Sequence, residues 1–334
     1  MAVQWSGIYD PLIFDGAVQE AAIELNRFLS SGVMARDSRI DTMASGAGQV
    51  GELPFFNGIT NDEPNYSSAD PAETSTPAVI SGATQVYRSA HANKSWTTMD
   101  MARELGLQDP LLAVVNRIGK YWAVNTEKRL IYSALGMLAD NIANDAGDMA
   151  NDISDAAVVP DAANTISADA VIDAHATMGD HAPALVAMAM HSVVYFNLQK
   201  QNLIDYIPNA RGEINIPTYL GYRVIVDDSL FPDTTGANPV YTTILFAPDA
   251  FAYGSGVPEM PSEIERKPDS GNGGGEEILY SRVTEIVHPW GFAFASAGLA
   301  GQSADYSELS DATEWDRVYV ERKNVGLAFL KTNG

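Results

Sequence analysis

An α+β fold is predicted by three patterns in this chain of 334 residues. One is a long segment of helical period from Pro110 to Leu138. Another is a crowd of short apolar and β-branched runs in the second half, around 185–190, 222–226, 278–287 and 290–295. The third is the stretch from Met188 to Leu230, where strand, helix and strand follow one another closely.

Residues 1–52 read as an arm with one helix. Ala17–Phe28 places Val18, Ala21, Ala22, Leu25 and Leu29 on one face, and Gly32 ends it. Trp5, Ile8, Tyr9, Leu12, Ile13 and Phe14 are hard to bury within an arm alone, so Trp5, Tyr9 and Phe14 are expected to contact another subunit. Residues 53–98 hold a polar, Pro-rich excursion with Pro54, Pro64, Pro71 and Pro77, closed by a strand over Gln85–Trp96. So long a structureless loop is generally functional or partner-bound. Its charges Asp62, Glu63, Asp70 and Glu73, and Phe55 and Phe56 at its root, are candidate intersubunit contacts. Arg88, Lys94, Arg117 and Lys120 complete that set.

Residues 99–165 contain the strongest helix. Asp109 is a good N-cap and Pro110 fits the first helical position; at ~1.5 Å per residue, Pro110–Leu138 spans about 43 Å. Its apolar period is interrupted by polar residues from Asn125 to Arg129. Ala143–Asn164 is acidic and Ala-rich and reads as helix remnant plus surface connection. Residues 166–300 begin with a capped helix, Ser167–Met178. A buried strand (Leu185, Val186, Met188, Met190) ends at His191, which is expected to cap the next helix. That helix carries Val193, Val194, Leu198, Leu203 and Ile204. A polar loop closed by Arg211 and Gly212 leads to a strand at Ile214–Ile216, and Tyr222–Val226 is a strand stopped by Asp227 and Asp228. Residues 301–334 end in Arg317–Lys331, an alternating run with a central Lys-Asn-Val-Gly break. Trp122, Trp290 and Trp315 read as core.

Composition excludes several functions. Hydrophobic residues make up 46%, too many for disorder. No apolar run approaches the ~20 residues of a membrane span, and the N-terminus lacks the features of a secretory signal. Zero cysteines exclude disulfides and thiol chemistry. A net charge of -23 disfavours tight binding to phosphate backbones and favours solubility.

Motifs for chemistry fail on context. Gly46-Ala47-Gly48-Gln49-Val50-Gly51 fits a dinucleotide pattern but lacks the preceding strand and following helix, so it reads as a hinge. Gly271–Gly275 followed by two glutamates lacks the Lys-Ser/Thr of a phosphate loop and reads as a connection between strands. Asp145, Asp148, Asp152 and Asp155 miss calcium-loop spacing and read as a solvated face. His91, His175, His181, His191 and His288 form no metal or triad pattern. No catalytic residue, metal or cofactor is expected.

The order strand, His191-Ser192, helix, Thr218–Gly221 turn and Val224–Asp228 resembles the A-domain of tailed-phage major capsid proteins. YTTILFAPDAFAYGSG and GNGGGEEILYSRVTEIVHPWGFAF resemble the same family in the same order. The resemblance implies the phage major capsid fold of the Hong Kong ninety-seven type. Its parts would be an N-terminal arm (1–52), an E-loop hairpin (53–98), a P-domain with a long spine helix (99–165), an A-domain (166–300) and a C-terminal return to the P-domain (301–334). It further implies a structural coat protein, assembling as hexamers and pentamers into an icosahedral head around double-stranded DNA. Because the chain starts almost at the arm, a separate scaffolding protein or prior cleavage is implied. Portal and decoration proteins are further partners the resemblance suggests. Gly48, Gly51, Gly82 and Gly106 are hinge candidates. Lys94 and Asn324 lack the surroundings of the family's isopeptide crosslink, so none is expected. An encapsulin-like compartment shell is the alternative; a hydrolase with paired carboxylates has no support in the sequence.

Overall fold

A computed structural model describes residues 11–46, 48–58, 63–99, 111–201, 203–208, 215–296 and 298–334. Where the sequence predicts one helix, the chain forms two, α1 (Pro11–Leu25) and α2 (Arg27–Ser31). Asn26 breaks them: its side-chain oxygen accepts from the Phe28 and Leu29 amides and caps α2. Gly32 ends α2 in the left-handed region, at φ 78°. Next come β1 (Met34–Arg36), α3 (Ser38–Ser45), β2 (Val50–Phe56) and β3 (Gly82–Arg88). The last two pair antiparallel from Val50↔Arg88 to Phe56↔Gly82. Between them every described residue from Gly58 to Ser81 is exposed, and none lies in a helix or strand. Asn57 pins the neck, its amide donating to the Ser81 carbonyl at 2.9 Å and its side chain to Ser81 Oγ at 2.9 Å.

After β4 (Ala90–Met99), the predicted long helix is α4 (Leu111–Asn144), running past Leu138. Asp109 and Pro110 lie outside the described residues. Then follow β5 (Ala150–Asp152), α5 (Ala168–Ala176), β6 (Ala187–Met190), α6 (Ser192–Lys200), β7 (Asp205–Pro208), β8 (Asn215–Tyr219) and β9 (Tyr222–Val226). The remaining strands are β10 (Tyr241–Phe246), β11 (Phe251–Gly256), β12 (Ser262–Lys267), β13 (Glu276–Pro289), β14 (Phe292–Phe294), β15 (Trp315–Arg317) and β16 (Leu327–Thr332). Ser167 caps α5 as its sequence predicts, accepting from the Ala170 amide. Arg211, Gly212 and Ile214 lie outside the described residues.

Two larger sheets organise these strands. One has seven, in the order β5-β16-β10-β6-β9-β8-β7. The other is built on β13, whose one edge carries β4 along ten residues while the other carries β12 and β11 end to end. β1 adds to β11 in parallel. The seven-stranded sheet is buried on both faces: Ala187 and Ala189 of β6 join a cluster with Phe28, Ile131, Met137 and Phe329, while Met188 and Met190 join Val171, Val194 and Leu198 beneath α5 and α6. A third cluster holds Val18, Ile118, Trp122 and Leu279 between α1, α4 and β13.

Two expectations need correction. Ala143–Asn164 is more than a surface connection, because β5 lies within it and pairs in parallel with β16. The Arg317–Lys331 run is not one broken strand: β15 ends at Arg317, a 3-10 turn covers Arg322–Asn324, and β16 enters the interior of the seven-stranded sheet. Leu327, Ala328, Phe329 and Leu330 are all buried, a pattern that only a strand covered on both faces satisfies. The segment that packs on α4 is instead the one before, where Trp315 Nε1 donates to the Leu309 carbonyl at 2.8 Å. Trp122 and Trp315 are buried as predicted; Trp290 is half-buried against Ile40 and Tyr87.

Gly136 permits that approach, because a Cβ there would lie 2.1 Å from the Leu309 carbonyl oxygen and 2.5 Å from Trp315 Nε1. Gly136→Ala is therefore expected to cost about 1–3 kcal/mol despite the better helix propensity of alanine, read as a lowered denaturant midpoint. His288 supplies a pH test. It is buried beside Gln85, with Nε2 3.3 Å from Oε1, and burial pushes its pKa from 6.5 down to about 4. Because the folded state disfavours its proton, this contribution is whole above pH 6.5 and is lost as pH falls towards about 4. His288→Gln should flatten the fall in stability across that window, measured by chemical denaturation at several pH values.

Candidate functional site

For a chain expected to build a shell, the candidate site is its outer surface. Phe14 does not belong to that surface. It is 4% exposed, buried with Val18, Ile118, Trp122 and Leu279. α1 lies close on α4 at Gly119, where a Cβ would come within 2.6 Å of Ala21 Cβ; the arm thus finds its apolar cover within its own chain. Trp5, Tyr9 and Asp62 lie outside the described residues.

Phe55 and Phe56 point to opposite faces of β2. Phe55 is half-buried, edge-on to Tyr319 with centroids 5.1 Å apart, whereas Phe56 is 81% exposed. Arg88 is engaged within the chain, donating through Nε to the Gln302 carbonyl at 2.8 Å and through Nη1 to Ser296 Oγ at 3.2 Å. Glu63, Asp70 and Glu73 are exposed on the excursion, and Asp70 accepts from the Ala72 amide in a turn. Lys94 on β4 and Arg117 and Lys120 on α4 are exposed. Among the described residues, none of Glu63, Glu73, Lys94, Arg117 and Lys120 has an ion pair.

Sequence reasoning missed a buried charge cluster inside the chain. Arg27 donates to Glu127 Oε2 at 2.6 Å, to the Val226 carbonyl at 2.5 Å and to Asp227. Glu127 and Asp227 are almost fully buried, at 3% and 5% side-chain exposure. From the same turn of α4, Thr126 Oγ1 donates to Glu285 Oε2 at 2.7 Å, and Arg129 lies 3.7 Å from Oε1. Burial pushes the Glu285 pKa up, opposed by Arg129 and the Thr126 hydrogen bond. Tyr306 Oη donates to Asn125. The polar interruption of α4 is thus where three other parts of the chain attach, and that interruption was its one visible signal.

The acidic run after α4 is not a solvated helical face. Arg317 bridges Asp145 at 3.1 Å and Asp148 at 2.8 Å, and Lys331 pairs with Asp152 at 2.9 Å. Among the described residues no group of three or more acidic or imidazole side chains is placed to hold a metal. His191 caps α6, Nδ1 accepting from the Val193 amide at 3.1 Å, as predicted. Gly46 ends α3 and β2 follows, the reverse of a nucleotide-binding order. Gly271–Gly275 joins β12 to β13. Of the hinge candidates, Gly48 has φ 136° and Gly51 is packed under the Tyr87 ring; Gly82 opens β3, and Gly106 lies outside the described residues.

Residues 90–326 match a family model described as Gp13-like, Major capsid protein 13-like. The chain belongs to this major capsid protein family. The major capsid protein of Bacillus phage SPP1 is 30% identical over 321 residues, covering 95% of this chain and 94% of that protein. The capsid of Ralstonia phage GP4 superposes with a TM-score of 0.56 over 91% of this chain and 88% of its own. The Cyanophage Pam1 capsid gives 0.56 over 93% of each. At 11% identity these two show the fold, that of phage capsids of the Hong Kong ninety-seven type. The role is structural: a coat protein of the phage virion that associates with its own copies to form a shell. The encapsulin alternative is not favoured, since the family model and the curated relative are both major capsid proteins. No helix among the described residues is long and apolar enough to cross a membrane.

Removing Arg27 would leave two buried carboxylates without their cation. Arg27→Met is expected to destabilise the subunit by about 3 kcal/mol, the lower end for a broken buried pair because the guanidinium is half exposed. Urea midpoints of the purified subunit check this.

Proposed function

We propose that the chain assembles as hexamers and pentamers into an icosahedral head around double-stranded DNA, with the excursion between β2 and β3 reaching onto a neighbouring copy. The observation that carries this reading is the excursion itself, exposed throughout its described length and polar. It is clasped to the body at its neck by Asn57 and Ser81 and bridged further out by Asn65, donating to the Thr76 carbonyl at 3.1 Å. Such a hairpin is marginal alone in water and gains order by lying on another surface. Its acidic side chains Glu63, Asp70 and Glu73 meet the exposed cations Arg117, Lys120 and Lys94 of the next copy. Each such pair contributes only ~0.2–1 kcal/mol, and repetition over a closed lattice makes the sum decisive.

In the family's terms, β2, β3 and the excursion are the E-loop, α4 is the spine of the P-domain, and the seven-stranded sheet with α5 and α6 is the A-domain. On this reading β16 belongs to the A-domain sheet, and the return to the P-domain is the stretch around Tyr306–Arg317, which packs on α4. A separate scaffolding protein, a portal and a decoration protein are the further partners. The acidity of the chain, a net charge of -23, supports weak contact with packaged DNA and no sequence-specific binding.

Charge reversal tests the contact. The double variant Arg117→Glu, Lys120→Glu is expected to remain a folded, soluble subunit and to lose closed shells in electron micrographs. Adding Glu63→Lys and Glu73→Lys should restore them. Normal shells from the double variant would sink the pairing, whatever the fate of the assembly model.

A further inference from the structure

Three asparagines of this chain precede glycine: Asn57-Gly58, Asn272-Gly273 and Asn333-Gly334. Glycine has no Cβ to shield its backbone nitrogen, so that nitrogen can reach the preceding side-chain amide carbon. The fold treats the three differently. Asn57 is held at the neck of the excursion, its side chain donating to Ser81 Oγ at 2.9 Å and its amide to the Ser81 carbonyl at 2.9 Å. Asn333 is 5% exposed, and its side chain accepts from the Asp155 amide at 2.7 Å and donates to the Pro239 carbonyl at 3.1 Å. Asn272 is exposed in the β12–β13 connection, and among the described residues its side chain has no hydrogen-bond partner. Its backbone is left-handed at φ 58°, between glycines at φ 66° and 87°, the residue type with the widest backbone freedom. The Gly273 amide is tied only to the Asp269 carbonyl, at 3.4 Å.

We propose that Asn272 is a spontaneous deamidation site of the folded subunit, while Asn57 and Asn333 stay as amides. The Gly273 nitrogen gives up its proton to solvent and attacks Asn272 Cγ. The C–N bond to the side-chain nitrogen breaks, and ammonia leaves. Water then opens the resulting five-membered imide at either carbonyl, giving aspartate or its β-linked isomer. No oxidant, cofactor or second protein is required. The product places a new carboxylate in a turn that already carries Asp269, Glu276 and Glu277. It lies at the end of β13, where Glu276 accepts from Ser270 Oγ at 2.7 Å and from Thr97 of β4. The β-linked isomer also lengthens the backbone of this turn. Every copy in a shell carries the site, so the change accumulates with the age of the particle and adds to an already negative surface.

The full-length folded protein is incubated at mildly alkaline pH and body temperature, then digested and analysed by peptide mass spectrometry at intervals. The expected result is conversion at Asn272, with both product isomers, about tenfold or more faster than at Asn57 or Asn333, whose side chains must first break their hydrogen bonds. In denaturant all three should convert. Asn272→Gln should abolish the acidic species that the wild-type protein develops on isoelectric focusing. Equal rates at the three sites in the folded protein, faster loss of Asn57 or Asn333, or an Asn272 that persists while denatured chain converts would each overturn the proposal.

Discussion

Two carboxylates buried in the middle of this molecule, Glu127 and Asp227, share one cation, and a third, Glu285, faces a second cation on α4. Glu127 of α4 and Asp227 after β9 are both nearly inaccessible, and an uncompensated charge there is costly. Among the described residues, Arg27 at the start of α2 is the cation that reaches both. Glu285 of β13, wholly surrounded by protein, is met by Thr126 and Arg129, which lie either side of Glu127 on the same helix. The middle of α4 is therefore joined to the N-terminal helices, to the end of β9 inside the seven-stranded sheet and to the sheet on β13. A hydrophobic seam would bind these parts as tightly. What the charges add is register: α2, β9 and β13 fit α4 at one height, because a shift by one turn leaves a buried carboxylate bare.

That geometry also explains which parts of the fold could be read from the sequence. Tyr222–Val226 is legible because a β-branched run bounded by Gly221 and Asp227 satisfies local rules, and its pairing agrees with them. The α5 cap at Ser167 is equally local. β5 is not legible, since Ala150–Asp152 has little strand propensity and is extended only because β16 offers a free edge. The break at Asn26 hides inside a continuing apolar stripe; the polar residue there looks like a tolerated interruption until its buried side chain is seen capping α2. Partners separated by a hundred residues or more, as Arg27 is from Glu127 and Asp227, leave no local trace. Phe14 reads as an intersubunit contact for the same reason. Its cover, Ile118 and Trp122, lies on a helix far along the chain.

The strongly acidic composition acquires a different meaning once the pairs are placed. Arg317, Lys331 and Arg27 are all engaged with carboxylates inside the subunit. Arg322 is committed to the Val325 and Leu327 carbonyls and to Thr177 Oγ1, and burial pushes its pKa down to about 10. Many of the cations are thus engaged by carboxylates of their own chain, at buried and at exposed positions alike. In such a chain an exposed lysine or arginine without a partner is informative, because the fold had abundant acidic residues with which to pair it. Arg117 and Lys120, three residues apart and both exposed on α4, have no such pair among the described residues.

The excursion between β2 and β3 completes the same logic from the other side. Fixing its backbone would cost about 1–2 kcal/mol per residue, and its own side chains bury nothing to offset that. Its prolines lower the cost by restricting the free state before any contact forms, and the Asn57–Ser81 clasp fixes where the loop leaves the body. On the proposed reading, what remains is a segment that gains order on a second surface through contacts that are individually weak. Association through such a segment stays reversible until many copies act together, so that misplaced subunits can leave before a shell closes. A tighter, more apolar loop would bind one neighbour better and correct errors worse. The polar composition of residues 57–81 suits a lattice, where accuracy is decided contact by contact and stability only in the sum.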